Sequence, residues 1–193
     1  RIDRPLVLVG LMAVGKSTVG RKLASLLEFG FVFDHTMTVS YATREGARSG
    51  AAFAQGNATT IPCADIDKNI VAAVQRVLKA PGSLVKISDI ASVTIYEAQT
   101  NGTPVANRSN VWTYSAGGGP SVDGSNLDFV QGAVQWNACT RDNDSSPASL
   151  GVSIVYDYRF VTPLSAALGF FGPPGGAGLT IRDRTVMALN PIN

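Results

Sequence analysis

The sequence predicts an α+β fold: an N-terminal helical segment, and a second helix packed on an antiparallel β-sheet. Three observations predict it. Beyond a short apolar run at the start, the helix-period patterns fall before Gly82 and the strand patterns after it; helices first and strands afterwards is not a βαβ alternation. The later segments alternate apolar and polar residues, as half-buried strands do. And 193 residues that are 45% hydrophobic can bury a core.

Residues 6–9, Leu-Val-Leu-Val, form a short apolar β-branched run of the kind buried in a parallel sheet. A glycine-rich stretch follows, and then Val19, Leu23, Leu26 and Leu27 recur at helical spacing, with Arg21 and Lys22 on the other face. Two local structures suit this start. One is strand, P-loop, helix. The other is a straight extension of the N-terminal helix, because Leu, Met, Ala, Lys and Arg are good helix formers. Residues 31–54 read as continuing helix with polar breaks, where Gly46 and Gly50 each cost about 1 kcal/mol relative to Ala. Residues 55–62 read as a loop. The clearest helix covers 65–79: Ile66, Ile70, Val74, Val77 and Leu78 make one face, Asp65 and Asp67 suit the positive end of its dipole, and Pro81-Gly82 stops it.

The remainder reads as β. Residues 92–96 alternate, Asn101-Gly102 signals a hairpin, and 111–115 is a further strand. Gly117-Gly118-Gly119-Pro120 and Asp123-Gly124 are turns. Residues 127–130 and 133–136 read as two strands, 141–149 as a polar loop, 152–160 as a long strand, 170–178 as a Gly/Pro-rich connection and 179–189 as a last strand.

Composition narrows the function classes. The formal charge is +2, from 16 Lys+Arg and 14 Asp+Glu, with no block of like charge, so no nucleic-acid partner is expected. The longest apolar run, 5–14, is closed by Lys16, and a spanning helix needs about 20 residues. Cys63 and Cys139 lie in no Cys-x-x-Cys pair and His35 is the only histidine, which argues against a zinc site. The two cysteines form either one disulfide or two buried thiols. A bridge closing so long a loop stabilises by about 4 kcal/mol in the chain-entropy description.

The strongest motif is Gly10-x4-Gly15-Lys16-Ser17-Thr18, a P-loop. Its glycines let backbone N–H groups face a phosphate, the following helix adds its positive end, Lys16 reaches the outer phosphates and Ser17 coordinates Mg²⁺. If the loop forms, ATP and Mg²⁺ are its ligands. The stretch 4–24 resembles the opening strand, P-loop and first helix of shikimate kinases. The resemblance implies ATP binding at 10–18. That family's other parts do not follow. Asp34 stands at the first position of its Asp-x-Asp motif, but Thr36 takes the second. Its Phe-Arg substrate segment has no counterpart. Gly117-Gly118-Gly119 reads as a turn, and Asp157, at the end of a Walker-B-like run, lies on an alternating strand.

From about residue 27 the chain resembles TadE-like pilus-assembly proteins, the minor pilins of tight-adherence systems. The likeness is carried by residues 28–48, which include Ala-Thr-Arg-Glu-Gly-Ala-Arg, and by 61–67, 152–158, 161–164 and 183–187. It implies two domains, 1–28 as a P-loop-like segment and 29–193 as a pilin-like extracytoplasmic α+β domain. It also implies no catalysis, other pilin or assembly subunits as partners, a place in the cell envelope, and a setting consistent with a Cys63–Cys139 disulfide. That family has an apolar membrane helix before Glu28. Here Gly15, Lys16, Arg21 and Lys22 fill the slot, and each charge near a bilayer centre costs about 2.5–3.5 kcal/mol, so membrane association is not expected. The alternative is a cytoplasmic ATP-binding P-loop protein, a small-molecule kinase of shikimate-kinase type.

Three further groups have bland readings. Asp34-His35 reads as a helix surface feature rather than an acid/base pair. Arg44, Glu45 and Arg48 read as ordinary helix polar residues rather than subunit contacts. Trp112, Trp136, Tyr156, Tyr158 and Phe160 read as core and cross-strand aromatics rather than a binding face.

Overall fold

The computed structural model describes residues 16–53, 61–142, 148–161 and 178–189. Residues 1–15, and with them Leu6–Val9, Gly10 and Gly15, lie outside these, as does most of the 170–178 connection. Helix α1 spans Lys16–Phe53 and α2 spans Ile66–Leu78. The strands are β1 (Ile90–Ala98), β2 (Pro104–Tyr114), β3 (Ser121–Val122), β4 (Ser125–Asn126), β5 (Phe129–Val134), β6 (Ser149–Tyr158) and β7 (Leu179–Ala188). Five of them form one antiparallel sheet in the order β5-β2-β1-β6-β7, and β3-β4 is a separate short hairpin. The fold is α+β.

The chain divides into two units, Arg1–Phe33 with Arg159–Leu179, and Asp34–Tyr158 with Thr180–Asn193. In the described part of the first, the Glu28 carboxylate is buried and accepts a hydrogen bond from the Val161 backbone N–H at 3.0 Å.

The second unit holds the sheet. On β6 the even positions Leu150, Val152, Ile154, Tyr156 and Tyr158 are buried on one face. β1 brings Ile95 opposite Val152 and Val93 opposite Ile154, and β2 brings Trp112 opposite Val93. Helix α2 closes this face with Ile66, Ile70, Val74 and Leu78, all essentially inaccessible to solvent. Burying each such side chain stabilises by about 1.5–3 kcal/mol.

Helix α1 approaches through small residues. Ala42, Thr43, Gly46, Ala47, Gly50 and Ala51 are buried at positions one helical turn apart. A Cβ on Gly46 would lie 2.6 Å from Val74 Cγ2, and one on Gly50 would lie 2.8 Å from Leu150 Cδ2 and 2.9 Å from Ile70 Cδ1. The helix expected over 31–54 is continuous through both glycines, without the polar breaks. The helix runs unbroken because close packing on α2 and β6 offsets the poor helix propensity of glycine.

The hairpin at Asn101-Gly102 joins β1 to β2, with Gly102 at φ +79°. In the β3-β4 turn both central residues, Asp123 and Gly124, have positive φ, as a two-residue hairpin of primed type needs. One strand, β5, replaces the two expected at 127–130 and 133–136. The β2-β5 register shifts between Asn110 and Trp112, and beyond Val134 the amides of Gln135 and Trp136 bond to the Asn110 side chain instead of a strand partner.

Candidate functional site

The densest chemistry in the second unit is a buried polar cluster beside a disulfide. Two one-turn 3-10 helices, Cys63–Asp65 and Ala138–Thr140, face each other, and Cys63 and Cys139 are joined with their Cα atoms 4.9 Å apart. Four residues beyond Cys63, Asp67 sits buried in the first turn of α2. Two residues beyond Cys139, Arg141 is fully buried, and its Nη2 lies 2.6 Å from Asp67 Oδ1. The guanidinium carbon lies 4.2 Å from the centre of the Trp136 ring, and Nη2 also donates to the Trp136 carbonyl at 3.4 Å. Burial pushes the Arg141 pKa down, against the pull of Asp67, which favours the charged form.

Asn110 completes the cluster from β2. Its Nδ2 donates to Asp67 Oδ2 at 2.6 Å and to the Trp136 carbonyl at 2.7 Å. Its Oδ1 accepts from the backbone N–H groups of Gln135 and Trp136, both at 2.9 Å. One buried amide thus uses both donor hydrogens and both acceptor lone pairs. Arg141 was expected in a polar loop. Its burial is explained by the bridge at Cys139 and by Asp67, which turns inward instead of only facing the helix dipole. Neither periodicity nor composition signals such a pair, since Arg and Asp are rarely buried unless paired.

A second cluster links α1 to β6. His35 is buried, against the surface reading, and its Nδ1 lies 2.8 Å from the Tyr156 hydroxyl, with the Tyr158 ring edge-on at 5.0 Å. Burial, helped by the negative charge of Asp89, pushes Tyr156 up to about 12, against a backbone hydrogen bond from Lys86. A third cluster joins α1 to β7. The Thr43 hydroxyl donates to Asp183 and accepts from Thr185 at 3.2 Å, and Ser153 donates to the Asp183 carbonyl at 3.1 Å. Trp112, Trp136, Tyr156 and Tyr158 are buried.

An open groove of about 260 Å³ runs between α1 and α2, lined in part by Glu45, Arg48, Phe53, Asn69 and Arg76. Its carboxylate is taken: Arg48 forks onto Glu45 at 2.7 and 2.9 Å, and this hydrogen bonding lowers the Glu45 pKa. Among the described residues no group of three or more His, Cys, Asp or Glu is placed to hold a metal ion, and no helix is long and apolar enough to cross a membrane.

Of the P-loop residues, Gly10 and Gly15 lie outside the described residues, and Lys16, Ser17 and Thr18 begin α1, with Thr18 exposed. Gly117-Gly118-Gly119 is a turn: the Gly119 N–H donates to the Leu127 carbonyl at 2.9 Å and the Gly117 N–H to Asp128 Oδ1 at 2.7 Å. Asp157 is exposed on antiparallel β6 and accepts a hydrogen bond from Thr180 at 3.0 Å.

Against known proteins, a 32-residue stretch is 78% identical to a shikimate kinase of Novosphingobium aromaticivorans. It is 17% of this chain, and the chain spans 17% of that curated relative's length. No family model matches the sequence, and no solved structure matches it.

Proposed function

We propose that this chain is a non-catalytic structural subunit of the cell envelope, of TadE-like pilus-assembly type, with other pilin or assembly subunits as its partners. One observation carries the reading: among the described residues the five-stranded sheet is antiparallel and its strands all lie within residues 90–188. A P-loop kinase needs a parallel sheet with the strand before its P-loop inside it. The Cys63–Cys139 bridge suits an oxidising compartment. Exposed apolar side chains on α1, Leu26, Phe29 and Phe33 in the first unit and Met37 and Tyr41 in the second, suit cover by a neighbouring subunit.

The 78% match over 32 residues favours a second reading, an ATP-binding start of kinase type. Phosphoryl transfer needs several positioned parts. Thr36 interrupts the Asp-x-Asp motif, the triple glycine closes a turn, and Asp157 is bonded on an antiparallel strand, so these three places offer a bound nucleotide no catalytic partner.

Fractionation of cells expressing the gene from its own promoter tests the proposal, with non-reducing peptide mapping of the recovered chain. It predicts recovery with the envelope and with Cys63 joined to Cys139. Recovery in the cytosol with two free thiols overturns it.

A further inference from the structure

We propose that the Cys63–Cys139 disulfide is a redox latch that holds the 135–142 segment and its buried cation in place, so that a dithiol reductant opens this one region and leaves the sheet folded. The proposal concerns the second unit alone and is independent of both functional readings.

The covalent bond and the ion pair share the same two segments. Cys63 lies four residues before Asp67 and Cys139 two residues before Arg141, so one bridge fixes both ends of one buried pair. The pair is a poor clasp by itself. Desolvating a guanidinium and a carboxylate roughly cancels their attraction, and a buried ion pair is often no more stable than apolar packing. The close approach of Arg141 to Asp67 therefore depends on the bridge, which keeps the effective concentration of one for the other high.

Other contacts set the boundary of the region. The N–H groups of Gln135 and Trp136 are held by the Asn110 side chain and not by a strand ladder, and the N–H of Cys139 is held by Asn137 Oδ1 at 2.9 Å within its own turn. In contrast, β1 and β6 are paired from Ile90↔Tyr156 to Ala98↔Ser149 under α2. Opening the bridge releases the first set and leaves the second.

The chemistry balances with a dithiol. Its thiolate attacks one sulfur, the S–S bond breaks, and the mixed disulfide closes to the cyclic disulfide of the reductant. Two electrons and two protons end on the Cys63 and Cys139 thiols. Arg141 then has a route to water, and its loss from the cluster uncovers the Trp136 ring face.

The folded, oxidised chain is the starting material, so no variant has to fold. Phenylglyoxal modification of arginines is mapped by peptide mass spectrometry before and after reduction, with alkylation confirming both thiols free. Amide exchange at 135–142 and at β1 and β6 is followed in parallel. The latch predicts that Arg141 is protected when oxidised and reacts at least tenfold faster when reduced, that exchange at Gln135 and Trp136 accelerates at least tenfold, and that β1 and β6 keep their protection. Arg141 staying protected after confirmed reduction overturns the latch. So does loss of protection throughout β1 and β6, which would make the bridge a staple of the whole unit.

Discussion

Gly46 of α1 stands against Val74 of α2 so closely that a Cβ would meet Val74 Cγ2 at 2.6 Å. One turn on, Gly50 makes the same kind of approach to Leu150 and Ile70. The interhelical distance is set by these two missing side chains.

Gly46→Ala and Gly50→Ala therefore destabilise the chain even though alanine favours helix. Overpacking costs about 1–3 kcal/mol and the propensity gain returns about 1 kcal/mol. Gly30, on the same helix but with nothing within 4 Å of its Cβ position, is the control. Gly30→Ala is expected to stabilise by up to about 1 kcal/mol. Urea unfolding of the three variants checks the opposite signs.

Asn110→Ala is expected to be among the most damaging single changes. It removes partners from a buried carboxylate, a carbonyl and two backbone amides. Each buried group left unsatisfied costs about 1–3 kcal/mol, so a total above about 3 kcal/mol follows. An exposed polar residue such as Asn126 gives the comparison, with Asn126→Ala within about 0.5 kcal/mol of the parent.

These two predictions also mark what was legible in the sequence. Helix α2 was, because Ile66, Ile70, Val74 and Leu78 repeat with the helical period and all are buried. Strands β1, β2, β6 and β7 were, because alternation and turn residues are local signals. The continuing helix over 31–53 was legible too, but the role of Gly46 and Gly50 in it was not, because Val74 and Leu150, against which they pack, are distant in sequence. The single β5 was not, because the side chain that takes over the amides of Gln135 and Trp136 comes from a residue 25 or 26 positions earlier. His35 and Arg141 were misplaced for the same reason. Their burial depends on Tyr156, 121 positions away, and on a disulfide spanning 76.

Stability is expected to fall at both ends of the pH range, for identifiable groups. Tyr156 is raised to about 12 by burial and by Asp89, so its neutral form is favoured in the fold. The stability linked to it is complete below the unfolded value near 10 and is lost as pH rises toward 12, by no more than about 2 kcal/mol once solvent screening is allowed for. Tyr156→Phe removes this alkaline loss and also the hydrogen bond with His35. Asp128 behaves in the opposite sense. Its hydrogen bond with Lys79, helped by the Gly117 N–H and opposed by burial, lowers its pKa. Its contribution is present above the ordinary carboxylate range and is lost as pH falls through the lowered value, and Asp128→Asn flattens that acid limb. Thermal unfolding from pH 2 to 12 for the parent and both variants separates the two effects.

The central proposal is that the chain is a structural subunit and that its Gly10–Thr18 motif does not serve a nucleotide. Equilibrium titration of the full chain with Mg-ATP, beside Lys16→Ala, tests it most directly. The account predicts no binding at millimolar ATP for either protein. Micromolar binding by the parent that disappears in Lys16→Ala would contradict it, and would establish a formed P-loop on a chain whose sheet is antiparallel.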